Sequence, residues 1–269
     1  MLRCKILITA KTYPSLSRKY RETVCTAGLL LDEAEQPLRW IRIYPVRFRD
    51  LDNDKRYRRW SIIEADIEKN PRDPRPESFR IDDDSITVIR HMGTESGWQE
   101  RRDMLLPLKD RSIQSIQDQG KSLGFIKPKS VGRFLIKEAE RDWKADQRAI
   151  LDQGDLLREE QKFLDLEKIP YRFLYQFLDE DDIKHTYSIL DWEILQLYRN
   201  MRNKSQKSSV SERKEYALEK VREKLEGQFM GKDTDLYFMV GNQQRYPKTF
   251  MIIGLFYPPL VKSQQMRLF

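Results

Sequence analysis

Only two cysteines, Cys4 and Cys25, and two histidines, His91 and His185, occur in 269 residues. Both cysteines lie in apolar, strand-like stretches, which argues against a disulfide scaffold and for buried thiols in a reducing compartment. The four Cys and His side chains are also poorly spaced for a zinc site. No apolar run is long enough to cross a membrane, and Met1 to Ile8 is too short and polar for a signal peptide. A cytoplasmic protein with no membrane partner is therefore expected. Also missing are a Walker-type phosphate loop, Gly-x-Gly-x-x-Gly, His-Glu-x-x-His and Cys-x-x-Cys. These absences lower the expectation of an enzyme, and no cofactor is predicted.

Charge is abundant, and its placement is uneven. The net charge is +7, and residues 1–60 hold 14 Lys or Arg against 7 Asp or Glu, so the whole excess lies in the first quarter of the chain. A basic region on an otherwise balanced protein is the footprint of a polyanion, with DNA the first candidate and RNA the second.

Hydrophobic periodicity predicts an α+β protein. Lys5 to Ala10, Thr23 to Leu31, Trp40 to Val46, Trp60 to Ile67, Phe79 to Ile81 and Ile86 to Arg90 read as strands of a mostly antiparallel sheet or small barrel. In the third strand Trp40, Arg42 and Tyr44 share a face that is expected to be cationic, aromatic and open, opposite a buried face with Ile41 and Ile43. The loop from Asn70 to Ser78 has too many prolines to be helical. Two short helices are expected between Trp98 and Asp118, broken at Pro107, followed by a connection at Gly120, Gly124 and Pro128 and a strand from Arg133 to Ala139. The leucine spacing of 143–168 suggests an exposed amphipathic helix or flexible bridge. A C-terminal α/β subdomain follows, with a strand at Tyr171 to Phe177, a helix at Asp191 to Met201, and a second helix through Leu225 capped by Ser211 or a neighbouring serine. A closing hairpin of Asp235 to Gly241 and Thr249 to Phe256 completes it. The expected division is a basic β-rich region at 1–95, a helical connection at 96–168, the α/β subdomain at 169–260 and a tail at 261–269.

Two constellations carry candidate chemistry. Lys11, Tyr13, Ser15, Ser17, Arg18, Lys19, Tyr20 and Arg21 crowd one loop with hydroxyls, cations and aromatic rings, the groups that contact phosphates and stack on bases. Arg47, Arg49, Arg56, Arg58 and Arg59 leave the far end of the same predicted hairpin, and Arg42 on the sheet would help line a nucleic-acid groove with Arg39, Arg72, Arg75 and Arg80. Separately, His185, Asp191 and Glu193 join an imidazole to two carboxylates, which would suit a nuclease using Mg or Mn. In the competing reading Asp191 caps a helix and Glu193 complements its dipole.

The tail ends Gln265-Met266-Arg267-Leu268-Phe269. A glutamine, a long apolar side chain, a free position and a Leu-Phe pair resemble the peptide motif by which bacterial proteins bind the replicative sliding clamp. The resemblance covers five residues. It implies that Gln265 holds the rim of a groove while Met266, Leu268 and Phe269 are its buried anchors; Arg267 departs from the small or acidic residue usual there. Together these features predict a DNA-binding protein docked on the clamp in replication, repair, mobile-element targeting or phage defence. The alternatives are the metal-dependent nuclease and an RNA-binding module whose tail is structural.

Overall fold

The computed structural model describes residues 1–17, 21–140 and 167–261, with the backbone alone for residues 15–17, 21 and 22. The alternating stretches of the N-terminal third form β1 (Leu2–Lys11), β2 (Ser15–Ser17), β3 (Arg21–Leu31), β4 (Pro37–Val46), β5 (Ser61–Lys69), β6 (Ser78–Ile81) and β7 (Thr87–His91). β1 pairs antiparallel with both β3 and β5, β3 with β4, β4 in parallel with β6, and β6 with β5. That circuit closes a five-stranded barrel, to which β2 and β7 attach through β3 and β5. Closure satisfies the edges that an open sheet would expose.

Strand alternation sorts the side chains into two layers. Ile6, Ile8, Ile41, Ile43, Ile63, Ala65 and Ile67 fill the barrel. Their neighbours Leu7, Leu29, Trp40 and Ile62 point outward, where Leu123, Phe125, Met239, Ile253 and Phe256 of the C-terminal half cover them. The face of β4 expected to be open is thus core: Trp40 and Arg42 are 7% and 3% exposed. The apolar side chains of the C-terminal half cover it, and burial of large apolar side chains outweighs the cost of enclosing one hydrogen-bonded arginine.

Beyond the barrel come α1 (Glu95–Leu105), a single 3-10 turn carrying Pro107, α2 (Ile113–Asp118), β8 (Leu123–Ile126), β9 (Ser130–Glu138), β10 (Tyr171–Leu178), β11 (Lys184–Ser188), α3 (Trp192–Lys204), α4 (Val210–Arg222), β12 (Tyr237–Gln243) and β13 (Tyr246–Phe256). Two three-stranded sheets result, β9-β10-β11 and β8-β12-β13, the latter built on the closing hairpin. Residues 123–126, expected in a connection, form β8 because Leu123, Phe125 and Ile126 are all buried beside β12. α4 starts at Ser209, which forms a capping box with Glu212. The helix expected over 143–168 falls almost wholly outside the described residues. The α+β class, N-terminal barrel, central helices and closing hairpin follow the sequence expectation. Among the described residues no helix is long and apolar enough to cross a membrane.

Candidate functional site

Where β1 leaves the barrel it is tied to the segment that enters α3. Thr12 N donates to Cys25 O at 2.9 Å, Tyr13 N donates to Leu190 O at 2.9 Å, and Thr12 forms a β-bridge with Asp191. This short stretch divides two cavities, with Lys11 in one and Thr12 and Tyr13 in the other.

The first cavity, of about 390 Å³, is lined by Lys11, Arg58, Arg59, Asp191, Trp192, Glu193, Gln196 and Asn200. Lys11 Nζ donates to Tyr57 O at 3.1 Å and stands 4.0 Å above the Phe48 ring, with Trp192 and Tyr57 at 5.1 and 5.6 Å. Burial lowers its ammonium to about 8, and Glu193 and Asp191 keep it from falling further. Arg58 and Arg59 both line this cavity, just before Trp60, which takes a left-handed backbone with φ of 69°. Arg58 is exposed, whereas Arg59 is 4% exposed. Arg59 Nε donates to Thr9 O at 2.6 Å, Nη1 to Asp191 Oδ2 and Glu193 Oε2 at 3.2 Å each, and Nη2 to Leu255 O. Burial opposes its charge, but the two carboxylates outweigh that and the guanidinium ends above its ordinary value. Burial likewise pushes the Asp191 carboxyl up, against the pull of Arg59.

The second cavity is larger, about 600 Å³, and lies among Thr12, Tyr13, Cys25, Arg42, Tyr44, Arg75 and the hairpin tip Asn242–Arg245, with Leu190, Gly241, Met251 and Ile253 as its apolar part. Arg42 donates from Nη1 to Ser122 Oγ at 2.7 Å and from Nη2 to Ser122 O at 3.0 Å and Asn242 O at 3.4 Å. Gly241 makes room for the apolar side chains beside it, since a Cβ there would lie 3.0 Å from Leu123 Cδ2 and 3.2 Å from Ile253 Cδ1. Arg75 grips Asp73 with Nε at 2.8 Å and Nη2 at 2.5 Å and donates from Nη1 to Asn242 O at 2.7 Å. Burial pushes the Cys25 thiol up despite Arg42 and Arg75 nearby.

The sequence candidates therefore fall into several places. Lys11 and Tyr13 line the cavities, and β2 and β3 hold Ser15, Ser17 and Arg21 in an antiparallel ribbon with Ser17 opposite Arg21. Arg18, Lys19 and Tyr20 lie outside the described residues, as do Gln265, Met266, Leu268 and Phe269. Arg47 is exposed and paired with Asp83 at 3.1 Å, while Arg56 donates to Leu51 O and Arg49 O at 2.9 Å each, shaping the loop that holds Arg49 and Arg58. Arg59 and Arg42 are buried rather than presented on a surface groove, because each is engaged by the C-terminal half. His185 is not brought to Asp191 and Glu193: its Nε2 hydrogen-bonds Asp179 at 2.9 Å and its Nδ1 pairs with the Tyr187 hydroxyl at 3.1 Å, while the two carboxylates converge on Arg59. Asp191 also caps α3, its Oδ1 accepting from Glu193 N at 2.9 Å. Among the described residues no group of three or more His, Cys, Asp or Glu side chains is placed to hold a metal ion. The hairpin tip Asn242-Gln243-Gln244-Arg245 also lines the second cavity, although it is not among the sequence candidates; its run of amides is the available signal.

Residues 2–107 match a family described as a domain of unknown function (DUF8758), and residues 109–269 match a second, also a domain of unknown function (DUF8757). No curated protein matches the chain. A solved murine DNA-binding protein bound to double-stranded DNA aligns over 97% of this chain and 98% of its own, at 10% sequence identity and a TM-score of 0.31, a likeness too low to argue from. Since the second family match spans more than half of the sequence, the chain belongs to the DUF8757 family.

Proposed function

We propose that this protein binds nucleic acid, DNA before RNA, along the edge where the barrel meets the C-terminal half, and that Gln265, Met266, Leu268 and Phe269 dock it on a bacterial sliding clamp. One observation carries the first part. The segment Lys11 to Tyr13, which runs on into the Arg18–Arg21 region, lines both cavities together with Arg42, Arg58, Arg75 and Arg245. A polyanion passing that edge meets the part of the chain that holds the whole excess of positive charge. The clamp contact rests on the resemblance of the tail, and the two contacts would act together through a short tether.

Fluorescence anisotropy with labelled single-stranded DNA, duplex DNA and RNA over a salt series tests the first part. Replacing Arg56 and Arg58 with Ala should weaken binding and reduce the slope of log K against log salt by about 1 to 2. Salt-independent binding, or variants with an unchanged slope, would count against it. For the clamp, Leu268→Ala with Phe269→Ala should abolish capture of the purified full-length chain by purified clamp and leave its melting temperature unaltered. Capture that survives both substitutions would remove the tail from the proposal.

A further inference from the structure

The cavity of about 600 Å³ differs from its neighbour in the charges that line it. Its lining includes Arg42, Arg75 and Arg245 but no Asp or Glu, whereas the smaller cavity sets Asp191 and Glu193 against its cations. Of the three arginines, Arg75 is matched by Asp73. Arg42 is 3% exposed and, among the described residues, is ion-paired to no carboxylate; Glu77 reaches it only through the Ser122 hydroxyl, which accepts from Arg42 at 2.7 Å and donates to Glu77 at 2.7 Å. An arginine so enclosed retains attraction for an anion entering the cavity, because low-dielectric surroundings screen it poorly.

The other lining groups fit the rest of a nucleotide. Tyr13, Tyr44, Leu190 and Met251 offer flat and apolar surface, while Gln243 and Gln244 carry amides of the kind that recognise base edges, the Gln244 Nε2 already donating to Arg72 O at 2.8 Å. The volume is that of a small-ligand site. We propose that this cavity holds one unstacked nucleotide, its base among Tyr13, Tyr44 and Met251 and its phosphate at the rim formed by Arg75 and Arg245. The inference rests on the nucleic-acid reading for a strand as the source of that nucleotide; a free mononucleotide presents the same chemistry.

The test uses the full-length protein and Arg245→Glu, a change at an exposed hairpin tip whose folding is checked by melting temperature. A short oligonucleotide carrying 4-thiouracil is photo-crosslinked and the adducts are mapped by mass spectrometry, and uridine 5′-monophosphate is titrated by calorimetry. Crosslinks at Tyr13, Tyr44 or Met251, with affinity for the oligonucleotide reduced about tenfold or more in Arg245→Glu, support the site. Crosslinks confined to the Arg47–Arg58 loop, with Arg245→Glu binding as the parent does, overturn it and leave nucleic-acid binding standing. Mononucleotide binding that Arg245→Glu weakens, without oligonucleotide binding, supports the cavity and discards the strand as its source. Binding of neither ligand overturns both.

Discussion

Replacing Arg59 with Met tests whether the two halves of the chain are fastened by the charge network beneath the first cavity. Methionine keeps much of the aliphatic stem, so the change reports mainly on the guanidinium. The side chain is buried and joins four partners, each at least 50 residues from it in sequence: Thr9 O, Asp191, Glu193 and Leu255 O. Among the described residues, its loss leaves Asp191, 2% exposed, with the N–H groups of Glu193 and Leu255 at 2.9 and 3.1 Å as its remaining side-chain hydrogen bonds. Removing one partner of a buried pair costs about 3–5 kcal/mol. Two carbonyls also lose their donor, at about 1–3 kcal/mol each if water does not replace it. The adjacent open cavity admits water, so a total near 4 kcal/mol is expected, equivalent to a fall of about 1.3 M in urea midpoint for a slope of about 3 kcal/mol per M.

Two controls separate this account from a general packing defect. Glu193 is the weaker partner, its side chain being 52% exposed, so Glu193→Gln should cost less than about 1 kcal/mol. The deficit of Arg59→Met should also narrow on acidification. Burial already raises the Asp191 carboxyl in the folded protein, and losing Arg59 raises it further, so the folded variant takes up a proton before the unfolded chain does and gains stability as pH falls toward the ordinary carboxylate value. Urea unfolding followed by circular dichroism at pH 7 and pH 5 measures both effects. A loss below about 1 kcal/mol, or a deficit that widens at pH 5, would refute the reasoning.

Lys11 should make the protein more stable as pH rises above its folded value of about 8 and toward 10.5, because over that range the unfolded chain holds the proton more tightly. Against Lys11→Met as the reference, the wild-type midpoint should improve by the equivalent of about 2 kcal/mol between pH 7.5 and 10, and parallel profiles would contradict the burial of the amine. Gly28→Ala places a Cβ 2.2 Å from the backbone Leu7 O across the β1–β3 pair, so a loss above about 3 kcal/mol is expected, seen as a lowered melting temperature or insoluble protein. Ser209→Ala removes the capping box of α4 and should cost about 1 kcal/mol by urea titration, with no change in nucleic-acid affinity.

Strand periodicity was legible in the first third because every barrel strand has one face turned into the same apolar interior: Ile6 and Ile8, Ile41 and Ile43, Ile63 and Ala65 all recur at a spacing of two. What local spacing does not carry is the covering of the other face. Arg42 meets Ser122 and Asn242 across 80 and 200 residues, and Arg59 meets Asp191 across 132. An arginine at a strand position looks solvated until the opposing layer is known, so local spacing places Arg42 and Arg59 on the surface although both are buried. Similarly, His185 and Asp191 are near in sequence yet take different partners, since β11 ends at Ser188 before Asp191 caps α3. Trp40 on the same face as Arg42 held the missing clue, because a large apolar ring on the outer side of a closed barrel demands a cover, here Phe125 at 6.4 Å between ring centroids. Once that cover is in place, the sheet face has no room to be a groove. The binding proposed above therefore falls to the margin where the cover stops, where Arg42, Arg75 and Arg245 line one cavity.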